Sequence, residues 1–194
     1  MKRLEIQLPM SAEQASALRA GDLLWLSGDL LTARDAAHKR MIDSLDAGET
    51  LPVDLYGQTI YYVGPCPARP GQVIGSAGPT TSGRMDAYTP ALLSRGLRVM
   101  IGKGQRRPDV VAAMRQAGAV YLGATGGAGA LLAQCVRQSE LVAYADLGPE
   151  AIRRLTVEHF PVIVLIDSQG NNLYEQGKKS FLAADHQHGK LSEF

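Results

Sequence analysis

Residues 155–167 read LTVEHFPVIVLID, two β-branched, apolar runs meeting at a Phe–Pro corner, and their adjacency decides the fold class. Short runs of Val, Ile, Leu and Phe bounded by turn signals mark strands, and Ser168–Asn172 supplies the turn that ends the second run. Two strands with no helix between them break strict βαβ alternation, which disfavours a pure doubly wound sheet. Working outward, strand-like runs recur at LEIQL (4–8), DLLWLSG (22–28), TIYYVG (59–64), QVIGSAG (72–78), LRVMIGKG (97–104) and AVYLGA (119–124). Helix starts are expected near 12, 33, 90 and 108. Ser11 with Gln14 and Thr32 with Asp35 make capping-box patterns, and Pro90 and Pro108 suit first turns. The expectation is one α/β domain with a mixed sheet over residues 1–182, followed by a polar tail at 183–194.

The chain has 194 residues, 45% of them hydrophobic, with 20 Lys and Arg against 19 Asp and Glu. That length fits one domain, and a net charge of +1 provides no basic footprint for nucleic acid or anionic lipid. Cys66 and Cys135 stand far apart and outside any CxxC pattern, so no disulfide framework or self-contained zinc site is readable. No apolar run reaches the ~18 residues that span a bilayer. A cytoplasmic protein acting on a small substrate is expected, without nucleic-acid or membrane partners. His186 and His188 in the polar tail read as solvated residues.

Four segments carry candidate chemistry. In SGDLLTARDAAHKRM (27–41), Arg34 and His38 are four apart at a helix start, where unpaired N–H groups favour anions; a solvated basic face is the alternative. GSAGPTTSGRMDAYTP (75–90) sets hydroxyls and Arg84 directly after a strand-like run, as a carboxylate clamp or a turn and cap. In IGKGQRRP (101–108), Lys103 lies between two glycines that permit close ligand approach, whereas Arg106 and Arg107 read as surface or first-turn residues. GATGGAGALLAQ (123–134) lacks the G-x-G-x-x-G spacing of a dinucleotide loop, and close helix–strand packing or donation to a carboxylate fits it better. Glu158, His159 and Asp167 are explained by edge polarity and turn chemistry.

Taken together, SGDLLTARDAAHKRM, GPTTSGRMDAYTP, MIGKG, the TGGAGALLA loop and VEHFPVIVLIDSQGNN resemble the β component of the iron–sulfur-dependent hydro-lyases, the class I fumarases and L(+)-tartrate dehydratases. The likeness runs from about residue 1 to 180. It implies a swivelling β/β/α domain and a [4Fe-4S] cluster carried by a separate α subunit, because two distant cysteines cannot supply the cluster's thiolates. An αβ heterodimer, or a dimer of αβ pairs, is the implied assembly.

The chemistry so implied is reversible hydration of fumarate to L-malate, or dehydration of tartrate. Arg34, Arg84 and Lys103 match substrate-binding positions, and Thr80 matches the base by its offset of four from the arginine; Thr81 is a further substrate-binding candidate and the alternative base. His38 matches a histidine proposed for proton transfer in the tartrate branch, or it orients Arg34. Gly83, Asp86 and the VEHFPVIVLID corner resemble the fumarase branch more closely. A non-catalytic dicarboxylate-binding module and, on the glycine loop alone, a nucleotide-binding oxidoreductase are the competing readings.

Overall fold

A computed structural model describes residues 3–178 and 181 of the chain; the expected tail, with His186 and His188, lies outside the described residues. The elements in order are β1 (Arg3–Gln7), α1 (Ala12–Ala17), β2 (Leu23–Thr32), α2 (Asp35–Asp46), β3 (Thr59–Tyr61), a 3₁₀ turn (Ser82–Met85) and α3 (Thr89–Leu93). Then come β4 (Val99–Gly102), α4 (Pro108–Ala117), β5 (Val120–Gly123), α5 (Gly129–Gln134), β6 (Val136–Ala143), a second 3₁₀ segment (Ala145–Glu150) and β7 (Ile152–Ile166). β2, β3, β4 and β5 are parallel neighbours, and β7 pairs antiparallel with both β5 and β2. Five strands therefore close into a barrel. β1 extends one edge in parallel with β2, and β6 lies antiparallel on β7.

Alternation along the strands sorts the apolar side chains into two cores. Tyr61, Val99, Ile101, Val120 and Leu122 join Leu24, Leu26, Leu155 and Phe160 inside the barrel. Their chain neighbours Ile60, Met100 and Tyr121 face outward and pack with Met41 of α2, Leu92 of α3 and Met114 of α4. Burying both faces is what parallel strands require. It explains why TIYYVG and AVYLGA read as continuous apolar runs.

The α/β class and mixed sheet are as expected, but several local details differ. The Phe160–Pro161 corner is no turn, since β7 runs through it in register with Leu26 and Trp25 of β2. His159, at φ 49°, bends the strand beside a register shift between Leu26 and Gly28, the kind of irregularity at which a sheet tolerates proline. QVIGSAG (72–78) is a loop. Its backbone bonds go to Arg69, to Cys66 and to the Gly129 carbonyl, which accepts from the Ala77 N–H at 3.0 Å. Conversely, VRQSELVA forms β6, an exposed strand whose Arg137 and Glu140 break the apolar pattern by which strands are read.

The Ser11–Gln14 capping box is present, and prolines begin α3 and α4. The Thr32–Asp35 box is not. Arg34 is the N-cap of α2, and the Thr32 hydroxyl donates instead to the Ala151 carbonyl at 3.2 Å. A β-strand residue two positions before the cap is committed to the sheet and faces β7.

Candidate active site

Parallel strands deliver their successor residues to one edge, and in α/β folds ligands bind at that C-terminal edge. Here β2 leads to Arg34, β4 to Lys103 and β5 to the loop 124–128. Segment 80–82 wedges between the ends of β3 and β4. The Thr80 N–H donates to the Tyr62 carbonyl at 2.7 Å, the Lys103 N–H to the Thr80 carbonyl at 3.3 Å, and the Ser82 N–H to the Lys103 carbonyl at 2.9 Å. Thr80, Thr81 and Lys103 thus stand side by side on a short parallel extension of the sheet. Lys103 and Thr81 are exposed and Thr80 is half-buried.

Close packing makes this wedge possible. A Cβ on Gly102 would fall 2.0 Å from Ser82 Oγ and 3.0 Å from the Tyr62 ring. Ser82 is fully buried and its hydroxyl meets that of Tyr121 at 2.8 Å, while Tyr121 donates to the Gly104 carbonyl at 2.9 Å. The glycine-rich loop packs closely, though against a loop and not against a strand as expected. A Cβ on Gly129 would lie 2.8 Å from the Gly78 nitrogen, so α5 seats directly on the loop that leads to Thr80.

Arg34 and Arg84 are brought together by a carboxylate between them. Asp35 Oδ2 lies 2.9 Å from Arg34 Nε, and its Oδ1 lies 2.7 Å from Arg84 Nε. Glu150, at the end of the second 3₁₀ segment, adds a contact of 3.2 Å to Arg34 Nε. Its other oxygen accepts from the Ala36 N–H at 2.7 Å, closing the start of α2 that Arg34 leaves without a side-chain cap. Burial pulls the Asp35 pKa upward, but the Arg34 hydrogen bond and the charges of both arginines outweigh it and hold the carboxyl below its ordinary value.

Spacing alone predicts Arg34 and His38 on one helical face. The structure separates them, because Arg34 is extended, at φ −140° and ψ −155°, and precedes the helix. His38 is fully buried. Its main-chain N–H and its Nδ1 both approach the Arg34 carbonyl, at 2.8 and 3.1 Å, which makes Nδ1 the protonated nitrogen because a carbonyl only accepts. Nε2 is then an acceptor, and it has no partner among the described residues. The ring meets Tyr62 edge-on at 5.2 Å, and burial pushes its pKa down to about 4. His38 is neutral beneath Arg34.

Arg106 is a clear departure from its surface reading. Only 6% exposed, it pairs with buried Asp86 at 2.6 Å, donates to Thr89 Oγ1 at 2.7 Å, and lies over the Tyr62 and Tyr121 rings. Asp86 also accepts the Arg107 N–H at 2.8 Å, so the pair ties the arm bearing Arg84 to the start of α4. Asp167 takes the turn role expected of it, accepting from the N–H groups of Ala20, Gln169 and Asn171. Glu158 pairs with Arg137 at 2.7 Å on the exposed edge.

Asp35, read from the sequence as part of a capping box, and Glu150 are the two site carboxylates that local pattern does not mark as such. An acid in the first turn of a helix entered through an arginine is the one signal Asp35 carries. Glu150 reaches Ala36 across 114 positions, and no local pattern signals that.

The profile of the family described as Fumarase C-terminus matches residues 1–177. A class I aerobic fumarate hydratase of Salmonella typhimurium is 40% identical over 182 residues, 92% of this chain and 31% of the relative. A class I anaerobic fumarate hydratase of Escherichia coli is 39% identical over 90% of this chain and 32% of the relative. The chain thus spans about a third of the length of these fumarate hydratases. A Methanocaldococcus jannaschii protein assigned as L(+)-tartrate dehydratase subunit beta is 38% identical, over 88% of this chain and 90% of its own length. With the profile running through almost every described residue and relatives aligned along the same stretch, the chain belongs to the Fumarase C-terminus family.

Proposed function

We propose that this chain is the β subunit of a class I fumarate hydratase, which interconverts fumarate and L-malate in the cytoplasm together with a cluster-bearing α subunit. The observation that carries the reading is the convergence of Arg34, Arg84 and Lys103 with Thr80 and Thr81 at one edge of the parallel strands. A C4 dicarboxylate needs cations for two carboxylates, and guanidinium groups suit them. Cys66 and Cys135 are free thiols, and among the described residues no group of three or more His, Cys, Asp or Glu is placed to hold a metal. The donors of this chain therefore do not fit a [4Fe-4S] cluster, which this reading assigns to the α subunit.

Within the shared site, Arg34, Arg84 and Lys103 hold the carboxylates, and Thr81 adds a hydroxyl beside Lys103. Dehydration of malate removes a proton from the carbon next to the carbinol, and the hydroxyl departs with its bonding electrons as the double bond forms. Thr80 is the proposed proton acceptor, helped by neighbouring cations that favour the alkoxide. His38 serves this scheme from below, fixing the carbonyl of Arg34 through Nδ1.

The tartrate reaction is the second reading. It is favoured by the relative assigned as a tartrate dehydratase subunit, which this chain matches over 90% of that protein's length. The test is an anaerobic assay of the chain, alone and assembled with its α partner, on fumarate, L-malate and L(+)-tartrate. Fumarate hydration in the complex alone is the expected result, and tartrate turnover in its place would select the second reading. Thr80→Val should lower turnover by about 10²–10⁴-fold while malate still binds. Near-normal turnover in that variant would sink the assignment of the base.

A further inference from the structure

Both arginines of the site approach a carboxylate through Nε, Arg34 by a hydrogen bond to Asp35 and the other pairs as charge contacts. Asp35 uses one oxygen for Arg34 Nε at 2.9 Å and the other for Arg84 Nε at 2.7 Å, and Glu150 adds a second contact to Arg34 Nε at 3.2 Å. A guanidinium held by Nε keeps its terminal Nη pair for another carboxylate, and end-on pairing of this sort is geometrically selective. From these contacts we infer that Asp35 and Glu150 are positioning residues for dicarboxylate binding, holding Arg34 and Arg84 side by side with their Nη groups free for substrate. The inference rests on the proposed function and adds to it the two residues that orient the clamp.

The surroundings of each carboxylate are built for this task. Asp35 belongs to the first turn of α2, where the helix N-terminus favours negative charge. Glu150 is fixed by its Ala36 bond at 2.7 Å. The segment that carries it is docked on α2 by a two-point contact from Arg40 to Asp146, at 2.8 and 2.7 Å, with Arg40 also over the Tyr144 ring. Arg34 lies in the cleft so formed. A Cβ on Gly64 would meet its Cδ at 3.2 Å and the Pro149 carbonyl at 3.2 Å, so the chain carries no side chain where it passes closest to the arginine.

Arg34 therefore has two holders and Arg84 one, which gives the proposal an asymmetric signature. In the full 194-residue chain, ¹⁵N relaxation of the arginine Nε groups reads how firmly each guanidinium is held. Asp35→Asn should increase motion at Arg84 and increase it less at Arg34, where the Glu150 contact remains, while adding Glu150→Gln should release both. Unchanged motion at Arg84 in Asp35→Asn would overturn the proposal. In the enzyme assembled with its α partner, Asp35→Asn should raise the KM for malate by about ten-fold with a smaller change in kcat. In an Arg84→Ala background, the same change should add less than about two-fold, because residues acting through one another are non-additive. Independent, multiplying effects would assign Asp35 a general structural role and refute the inference. Normal turnover of every substrate by Arg84→Ala would instead remove the proposed function on which it rests.

Discussion

His38 should make the stability of this fold depend on pH in a window of its own. The ring is fully buried, its Nδ1–H is committed to the Arg34 carbonyl and its Nε2 has no partner among the described residues. Burial lowers its pKa from 6.5 to about 4, the nearby Arg106 charge also lowers it, and the Arg34 hydrogen bond and Asp35 act in the opposite sense. Between those values the unfolded chain binds a proton that the native chain refuses, so stability falls as pH drops from about 6.5 to about 4 and is level beyond. The gap of about 2.5 units corresponds to about 3 kcal/mol in full, of which roughly 2 are lost between pH 7 and 4.5. Asp35 titrates lower. Its depressed pKa contributes stability above 3.8 that is lost as pH falls through the folded value, so the two windows separate. The variant His38→Asn can place an amide N–H where Nδ1–H now stands and has nothing to titrate. Urea unfolding at pH 7 and 4.5 should therefore show the variant losing roughly 2 kcal/mol less than the native chain, a midpoint difference of about 1 M. Equal losses in both proteins, or an NMR titration of His38 near 6.5, would refute this account of a ring kept neutral by burial.

Two further variants probe what holds the site in place. Arg106→Met leaves Asp86 charged in a dry interior and should cost about 3–5 kcal/mol, whereas Arg106→Met with Asp86→Leu should cost less than the single change; thermal and urea unfolding of both check the order. Gly102→Ala drives a methyl to within 2.0 Å of Ser82 Oγ and should destabilise by about 1–3 kcal/mol. Adding Ser82→Ala should recover part of that loss and not all of it, because the Tyr62 ring at 3.0 Å and Ser82 Cβ at 3.3 Å still crowd the new methyl, and full recovery in melting curves would refute this packing account.

The fold class was legible where local chemistry and tertiary structure agree. The fully buried parallel strands β3, β4 and β5 leave unbroken apolar runs, and the prolines of α3 and α4 announce their helices. Legibility failed where tertiary partners override local pattern. Residues 72–78 look extended and apolar, yet their backbone hydrogen bonds go to Arg69, Cys66 and Gly129 and not to a neighbouring strand. β6 is one-sided and charged, and Pro161 lies inside a strand because a bend at His159 absorbs it. For the site, the cations were readable as residue types on three loops. Their holders were not, since Asp35 resembles a capping residue and Glu150 arrives from a segment 114 positions beyond its backbone partner.

Charge balance argues that this edge of the barrel is one side of a larger site. Three cations, Arg34, Arg84 and Lys103, stand with two carboxylates, Asp35 and Glu150, so the local sum is 3 − 2 = +1. A dicarboxylate seated there would bring two negative charges and leave the sum at −1. Relaxing the network to free a cation is costly, because Glu150 also closes the start of α2 and Asp35 serves both arginines at once. In the proposed enzyme the balancing positive charge would come from the α subunit, to which that reading assigns the cluster. On that reading the two carboxylates orient the arginines for substrate and offset two of the three charges, so malate binding by this chain should strengthen when the α subunit is added, and calorimetry with and without it checks this.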